Sequence, residues 1–494
     1  MWLREIRVKN LKRLRDFTLS LADEKGRPRM WTVLIGPNGT GKTSVLQAIA
    51  LAAAGVADAN ELCTRERREE MLDKRLERPK RKRGRRAVNA VPDGPCVDIG
   101  ADFAFGPHGR KDLNTLCQGF DSVEDFFDSF VESSDSGEFL RSRLRSRPTA
   151  SVEGRAAYIS PKAGSLRDEP PLVLDPTAPQ SQGTPTTDPL VEARDDPKRS
   201  YWFVAAYGVH RDLPRTSLGV SRPPRASLAR LRPLFDGGGL VGPNFASILD
   251  SPKVKRAYAV LLRDVLLKNK HLVPGLTNVE LRGAGGVTRT EHLTESHRFE
   301  QSVGKSAPLM LPANWLSHGY RSSLAWLADL VGQIVLEANG RVEPQEMEGL
   351  VLLDEIDLYL HPTWQVGLVG ALRDVLPNMQ FIVTTHSPML LSAFRRDEVV
   401  MLDFDDEGNV VQKETQRDPR LLTGSELYEW FFGIDRLYPT DLADTMERYL
   451  RFATDPFRSD LDDKKALALR KKLEDQKVTP PPMVRRNIVG DEEL

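Results

Sequence analysis

Four short stretches of this sequence carry residues suited to work on a phosphate. The first, GPNGTGKTS, matches G-x-x-x-x-G-K-[ST] at Gly36, Gly41, Lys42 and Thr43. Across Gly36, Pro37, Asn38, Gly39, Thr40 and Gly41 the glycines let the backbone curl, so that several N–H groups point at one phosphate, and the positive end of the following helix reinforces them. Lys42 then reaches the outer phosphates, the Thr43 hydroxyl holds Mg²⁺, and Ser44 completes the stretch. The second is LVLLDEIDLYLHP, in which Asp354 and Glu355 end an apolar strand, the edge at which open α/β sheets bind ligands. Asp354 is assigned to the Mg²⁺ shell and Glu355 to orienting and deprotonating the attacking water. The alternative is an acidic pair entering a solvated turn. In the third, FIVTTHSP, His386 follows another buried strand, where a neutral imidazole can hydrogen-bond the terminal phosphate or the attacking water. The fourth is LSHGYRS, Leu316 to Ser322. Ser317 offers a hydroxyl, Gly319 permits close backbone approach, and the helix that begins there aims unpaired N–H groups at an anion. A plain helix N-cap is the competing reading of that loop.

These residues need particular elements behind them. Residues 3–9 and 31–35 read as short strands, the second a continuous apolar run of the kind buried on both faces. The phosphate loop then opens an Ala/Leu-rich helix ending near Gly55. VDIGADFAF at 97–105 alternates like a strand, and 107–150 reads as partly helical. Order returns with the strand YWFVAAYG at 201–208, the helix at 253–268 and a strand-turn region TNVELRGAGGVTRT. LSHGYRS, a helix, LVLLDE, another helix and QFIVTTHSP follow in quick succession. Strands alternating with helices predict an α/β fold with a mostly parallel, helix-covered sheet. The expected organisation is 1–55 as the first part of the nucleotide-binding domain, 56–200 as an insertion region, 201–415 as the rest of that domain, and 416–494 as a helical C-terminal region with a charged tail.

In order, GPNGTGKTS, LSHGYRS, LVLLDEIDLYLHP and VTTHSP resemble the ABC-type ATPases of the SMC, RecF and OLD-like branch. They are especially similar to the compact AAA_15/AAA_21 group, often encoded beside nucleases in anti-phage systems such as Septu. The resemblance covers Met1 to about Ser387, with 56–200 matching no motif. It implies a P-loop NTPase fold of ABC type, with a mostly parallel sheet flanked by helices, an antiparallel β subdomain, helical insertions and a helical C-terminal region. ATP and Mg²⁺ are the implied cofactors. In that family the LSxG loop of one subunit closes over the nucleotide held by the phosphate loop of another, which assigns Ser317 and Gly319 to a half-site offered in trans. A homodimer or higher assembly formed through ATP follows, gating a separate effector, a nuclease, in DNA metabolism or defence against phage. LSHGYRS departs from the usual LSGGQ at His318, Tyr320 and Arg321, Arg321 being a candidate extra cation. His361 falls where transporters usually carry Asp, in the LHP form of OLD-like and AAA_21 ATPases, and a helix-start His before Pro362 explains it equally. The sequence does not place the usual Q-loop glutamine; YGVHR at 207–211 is the candidate region. Two rivals stand: the ATP-binding subunit of a membrane transporter, opposed by the LHP form and the large insertion, and a nucleotide-gated scaffold with little turnover.

The bulk properties narrow the classes. At 494 residues the chain is long enough for about two to four structural units. Lys plus Arg equal Asp plus Glu, 70 against 70, so any contact with DNA or RNA must be local. The run KRLERPKRKRGRR at 74–86 is such a place, although a solvated basic loop accounts for it as well. Residues 161–197, rich in Pro, Ser, Thr and Asp, are expected to be a loosely held loop. Cys63, Cys96 and Cys117 lack metal-ligand spacing and predict no disulfide. No signal peptide or apolar span is read, so the expected location is cytoplasmic with no membrane partner. DFDDEGN at 403–409 reads as a hairpin turn between two strands rather than the acidic site of a nuclease. Sustained heptads, the mark of a long SMC coiled coil, are absent.

Overall fold

The continuous apolar runs become the middle of one sheet. In the computed structural model, 14 strands occur among the described residues. They are β1 (Trp2–Leu11), β2 (Leu14–Ser20), β3 (Trp31–Ile35), β4 (Val97–Ala104), β5 (Phe139–Ser146), β6 (Glu153–Ile159), β7 (Val204–Tyr207), β8 (Leu276–Glu280), β9 (Arg298–Gln301), β10 (Leu309–Pro312), β11 (Gly349–Leu353), β12 (Met379–Thr384), β13 (Val399–Phe404) and β14 (Val410–Lys413). The structure describes residues 1–23, 27–73, 75, 96–106, 139–148, 150–159, 190, 194, 202–211, 226–236, 240, 249, 251–267, 276–280, 298–302, 307–316, 318–338, 342–434 and 440–485. Most of the basic run at 74–86 and of the Pro-rich stretch at 161–197 therefore lies outside the described residues, as does Cys117; Cys63 and Cys96 are free thiols.

The six-stranded sheet has the order β14-β13-β3-β12-β11-β7, parallel from β13 through β7 with β14 antiparallel at its edge. Every residue of β3, β11 and β12 is buried, as strands covered on both faces must be. Because these neighbours run parallel, their C-terminal ends form one edge. The phosphate loop, the Asp354–Glu355 pair and His386 all follow strands that end there. The expected hairpin joins β13 to β14, with the Asp405 carbonyl accepting the Gly408 N–H at 2.9 Å and Asp403 paired with Lys413.

A second sheet, β2-β1-β4-β5-β6, is antiparallel throughout. Residues 56–200, expected as an insertion region that matches no motif, supply three of its five strands, β4, β5 and β6. The partly helical expectation over 107–150 is overturned at Phe139–Ser146, which is β5. Leu140, Ser142 and Leu144 point inward while Arg141 and Arg143 point outward, with Arg141 against Asp102 at 2.7 Å. Serine on the inward face weakens the alternation in sequence; in the structure the Ser142 hydroxyl is buried because it donates to the Ala52 carbonyl at 2.7 Å.

Ala52 belongs to the helix Lys42–Leu62, which touches β1, β4, β5 and β6 of one sheet and β7, β11 and β12 of the other. Two covered sides explain its composition. It is the one helix, among the described residues, long and apolar enough to cross a membrane, and 72% of its apolar window is buried inside the protein, which marks it as a core helix. It does not stop at Gly55: φ 73° and ψ 173° there break the helical path, and the chain resumes to Leu62. Helix Pro252–Leu267 packs on helix His318–Ala338 and on β8 of a small antiparallel sheet, β10-β9-β8.

The chain divides into two compact units, Met1–Leu421 and Leu422–Leu494. In the second, helices Gly424–Phe432, Thr440–Ala453 and Asp460–Asp475 occur. Met446, Tyr449, Ala453 and Leu473 form its small core, and the Tyr449 hydroxyl donates to the Pro481 carbonyl at 2.5 Å.

Candidate nucleotide site

Between β3 and helix Lys42–Leu62 the chain curls through Gly36, Gly39 and Gly41, all at positive φ. Gly36 has no substitute there, since a Cβ would stand 2.1 Å from the Leu402 carbonyl oxygen at φ 146°. Gly41 is the left-handed N-cap, so the helix opens directly from the loop. Lys42 folds back over it, its Nζ donating to the carbonyls of Gly36 at 2.7 Å and Pro37 at 3.1 Å. Burial pulls the Lys42 ammonium below its ordinary value, while Asp354 and Glu355 oppose the shift.

The carboxylates meet this loop from the adjoining strand end. Asp354 Oδ2 accepts the Thr43 hydroxyl at 2.8 Å, and its Oδ1 accepts the Thr384 hydroxyl at 2.6 Å. The same Thr384 oxygen accepts the Glu355 N–H at 2.7 Å. Residues from the loop, β11 and β12 thereby form one hydrogen-bonded chain. Glu355 itself sits at φ 47°, in the left-handed region that non-glycine residues seldom occupy. Beyond it Asp357 accepts the Thr385 hydroxyl, and the Ser387 N–H donates to Thr385 Oγ1 at 2.9 Å, which fixes the loop on both sides of His386.

A cleft of about 290 Å³ opens at this point, lined by Lys12, Arg13, Asn38, Gly39, Gly41, Lys42, Thr43, Ser44, Asp354, Glu355, Thr384 and His386. The phosphate loop, both carboxylates and the histidine, expected from separate parts of the sequence, share it. Ser317 lies outside the described residues. Gly319 is described but does not line the cleft; it stands in the first turn of helix His318–Ala338, where a Cβ would come 2.4 Å from the Tyr359 carbonyl oxygen. His361 is exposed just before helix Pro362–Val375, with its ring 5.9 Å from Trp364. Tyr320 packs on the same tryptophan at 4.6 Å.

Several residues here escaped the sequence reading. Lys12 and Arg13 reach the cleft from the turn between β1 and β2, Arg13 standing over the Phe404 ring at 5.0 Å. Two basic residues are the available signal in the sequence, obscured because LRDFTLS carries a weak strand pattern although it forms β2. Thr384 looked like an ordinary strand former. Arg211, the last residue of YGVHR, is 2% exposed and donates from Nη2 to the Glu355 carbonyl. Its burial lowers the guanidinium to about 10 against the pull of Asp354, Asp357 and Glu355, so it remains a cation at neutral pH.

The donor set suits magnesium nucleotide. Magnesium bound with a nucleotide asks for one or two protein oxygens beside the phosphates, and the Thr43 hydroxyl and Asp354 carboxylate stand together at the cleft. A bound ion would supply charge compensation for the phosphate oxygens. Lys42 and the N–H groups of the loop and helix start are the matching anion receptors.

Comparison with known proteins places matches on these same segments. The AAA_21 model, described as "AAA domain, putative AbiEii toxin, Type IV TA system", matches residues 260–392, and the AAA_15 model, "AAA ATPase domain", matches residues 1–74. The chain is similar to Septu protein PtuA of Bacillus thuringiensis, 32% identical over 126 residues, covering 24% of this chain and 32% of that protein. It is similar also to the Retron Ec83 probable ATPase of Escherichia coli, 40% identical over 87 residues, covering 18% of this chain and 16% of the relative. Both matches thus span less than two thirds of the relatives' own length. Among solved structures, the SMC head domain from Thermotoga maritima aligns with a TM-score of 0.38 and 13% identity over 84% of this chain and 100% of that one.

Proposed function

We infer that this chain, an ABC-type ATPase of the SMC and RecF-like group, binds ATP with Mg²⁺ in the cleft, hydrolyses it, and uses the bound nucleotide to join two copies. The observation that carries the reading is the chain of hydrogen bonds from Thr43 through Asp354 and Thr384 to Glu355. It sets a metal-holding pair and a candidate base at fixed separation on one sheet edge, and phosphoryl transfer asks mainly for such positioning and charge compensation.

Each side chain has a task. Lys42 releases its loop carbonyls and neutralises the outer phosphates. Thr43 and Asp354 hold the metal. Glu355 orients the attacking water and takes its proton, and His386, exposed at the cleft, hydrogen-bonds the terminal phosphate or that water. Ser317 and Gly319 close over the nucleotide of a second copy. Among the described residues that line the cleft none comes from helix His318–Ala338, which is compatible with that half-site being offered to a second copy. Joining and separation then gate a separate effector, a nuclease, in DNA metabolism or anti-phage defence, in line with the Septu and retron relatives.

Lys42→Ala and Glu355→Gln separate binding from chemistry. Lys42→Ala is expected to lose nucleotide affinity. Glu355→Gln is expected to keep it while turnover falls at least about 100-fold, the usual contribution of a positioned base. Equal turnover by Glu355→Gln and the wild type would remove Glu355 from the reaction.

A further inference from the structure

Glu355 is held in a conformation it would not choose. With φ at 47°, it needs restraint from outside its own peptide. Three contacts supply it: the N–H goes to Thr384 Oγ1 at 2.7 Å, the carbonyl accepts the Leu358 N–H at 2.9 Å, and the same carbonyl accepts Arg211 Nη2. The first two belong to the turn and the adjoining strand. The third comes from the far side, from the segment after β7, the strand that pairs with β11.

Arg211 is an expensive way to make one hydrogen bond. It is 2% exposed, and among the described residues its Nε and Nη1 are buried with no acceptor. Buried polar groups are ordinarily paired, and a cation kept inside with unspent donors disfavours folding. A residue whose only purpose was packing would be better served by an apolar chain of the same length. Burial disfavours its charge, and the nearby carboxylates of Asp354, Asp357 and Glu355 favour it.

We propose that Arg211 is a positioning residue for hydrolysis: by gripping the Glu355 carbonyl it holds that backbone left-handed and so sets where the Glu355 carboxylate meets the attacking water. The proposal rests on the reading of Glu355 given above. It assigns Arg211 a role on the chemical step through Glu355, with no share in holding nucleotide.

The test uses the full chain and ATP with Mg²⁺. Arg211→Met keeps the length and removes the grip; Arg211→Lys keeps the charge and an N–H donor group but not the planar fork. Arg211→Met is expected to lower kcat about 100-fold with KM changed less than about threefold, because misplacement of a reacting group by about 1 Å has that effect. Arg211→Lys should recover part of the loss. In a Glu355→Gln background, single-turnover measurement should find that adding Arg211→Met slows the residual rate less than about twofold, since two residues acting as a unit are not additive. Unchanged kcat, a loss confined to KM, or full additivity with Glu355→Gln would overturn the proposal. So would failure of both Arg211 variants to fold, which would make Arg211 part of the scaffold. A wild type that binds ATP without turning it over would remove the hydrolytic reading and this one together, whereas turnover by the wild type with an indifferent Arg211→Met would remove this one alone.

Discussion

Thr384 performs two tasks with one oxygen, accepting the Glu355 N–H and donating to Asp354. It therefore sets the spacing between the carboxylate proposed to hold metal and the residue proposed to handle water. Thr384→Val keeps the volume and the strand-forming branch but removes both bonds, leaving a buried carboxylate oxygen and a backbone N–H without that partner. The expected outcome is a kcat lowered about tenfold with nucleotide affinity nearly unchanged, and a stability loss of about 1–3 kcal/mol in denaturant titration. A variant with lower affinity and full kcat would show that Thr384 serves binding instead. Lys42 differs in kind: its amine is occupied by its own loop's carbonyls, so its reach toward phosphate requires those two bonds to be exchanged.

Among the elements, the turn from Glu355 to Tyr359 links this chain's cleft to the segment proposed to serve a second copy. Its start follows β11, and its end, the Tyr359 carbonyl, leaves no room for a Cβ at Gly319. Gly319→Ala would set a methyl 2.4 Å from that oxygen, and with backbone on both sides the helix must shift. A loss of about 1–3 kcal/mol is expected from such overpacking, together with reduced ATP-dependent assembly measured by solution mass. Unaltered stability would show that the helix start yields freely. The edge that carries the site was legible in the sequence because β3, β11 and β12 are continuous apolar runs, each followed directly by chemically capable residues. β5 was not legible, because its inward serine satisfies itself on a helix carbonyl that only the folded chain provides. Arg211 lay inside a stretch already singled out, YGVHR, yet its grip on Glu355 joins positions 144 apart in sequence. Thr384 was hidden for the same reason: its partners come from another strand.

At the scale of the whole molecule, the helix Lys42–Leu62 explains how one chain combines two sheets around a phosphate site. Its N-terminus is spent on the phosphate loop and its length on covering the antiparallel sheet and the parallel one together. The cleft that results is lined on several sides, but among the described residues not by the LSHGYRS segment of the same chain. A second copy supplying that segment is the central claim about how ATP produces function. It is tested most directly by the solution mass of purified Glu355→Gln with and without ATP and Mg²⁺, beside Glu355→Gln carrying Ser317→Arg. The expected result is a doubling of mass that needs nucleotide and disappears with Ser317→Arg. A mass that nucleotide leaves unchanged, or a doubling indifferent to Ser317→Arg, would contradict it.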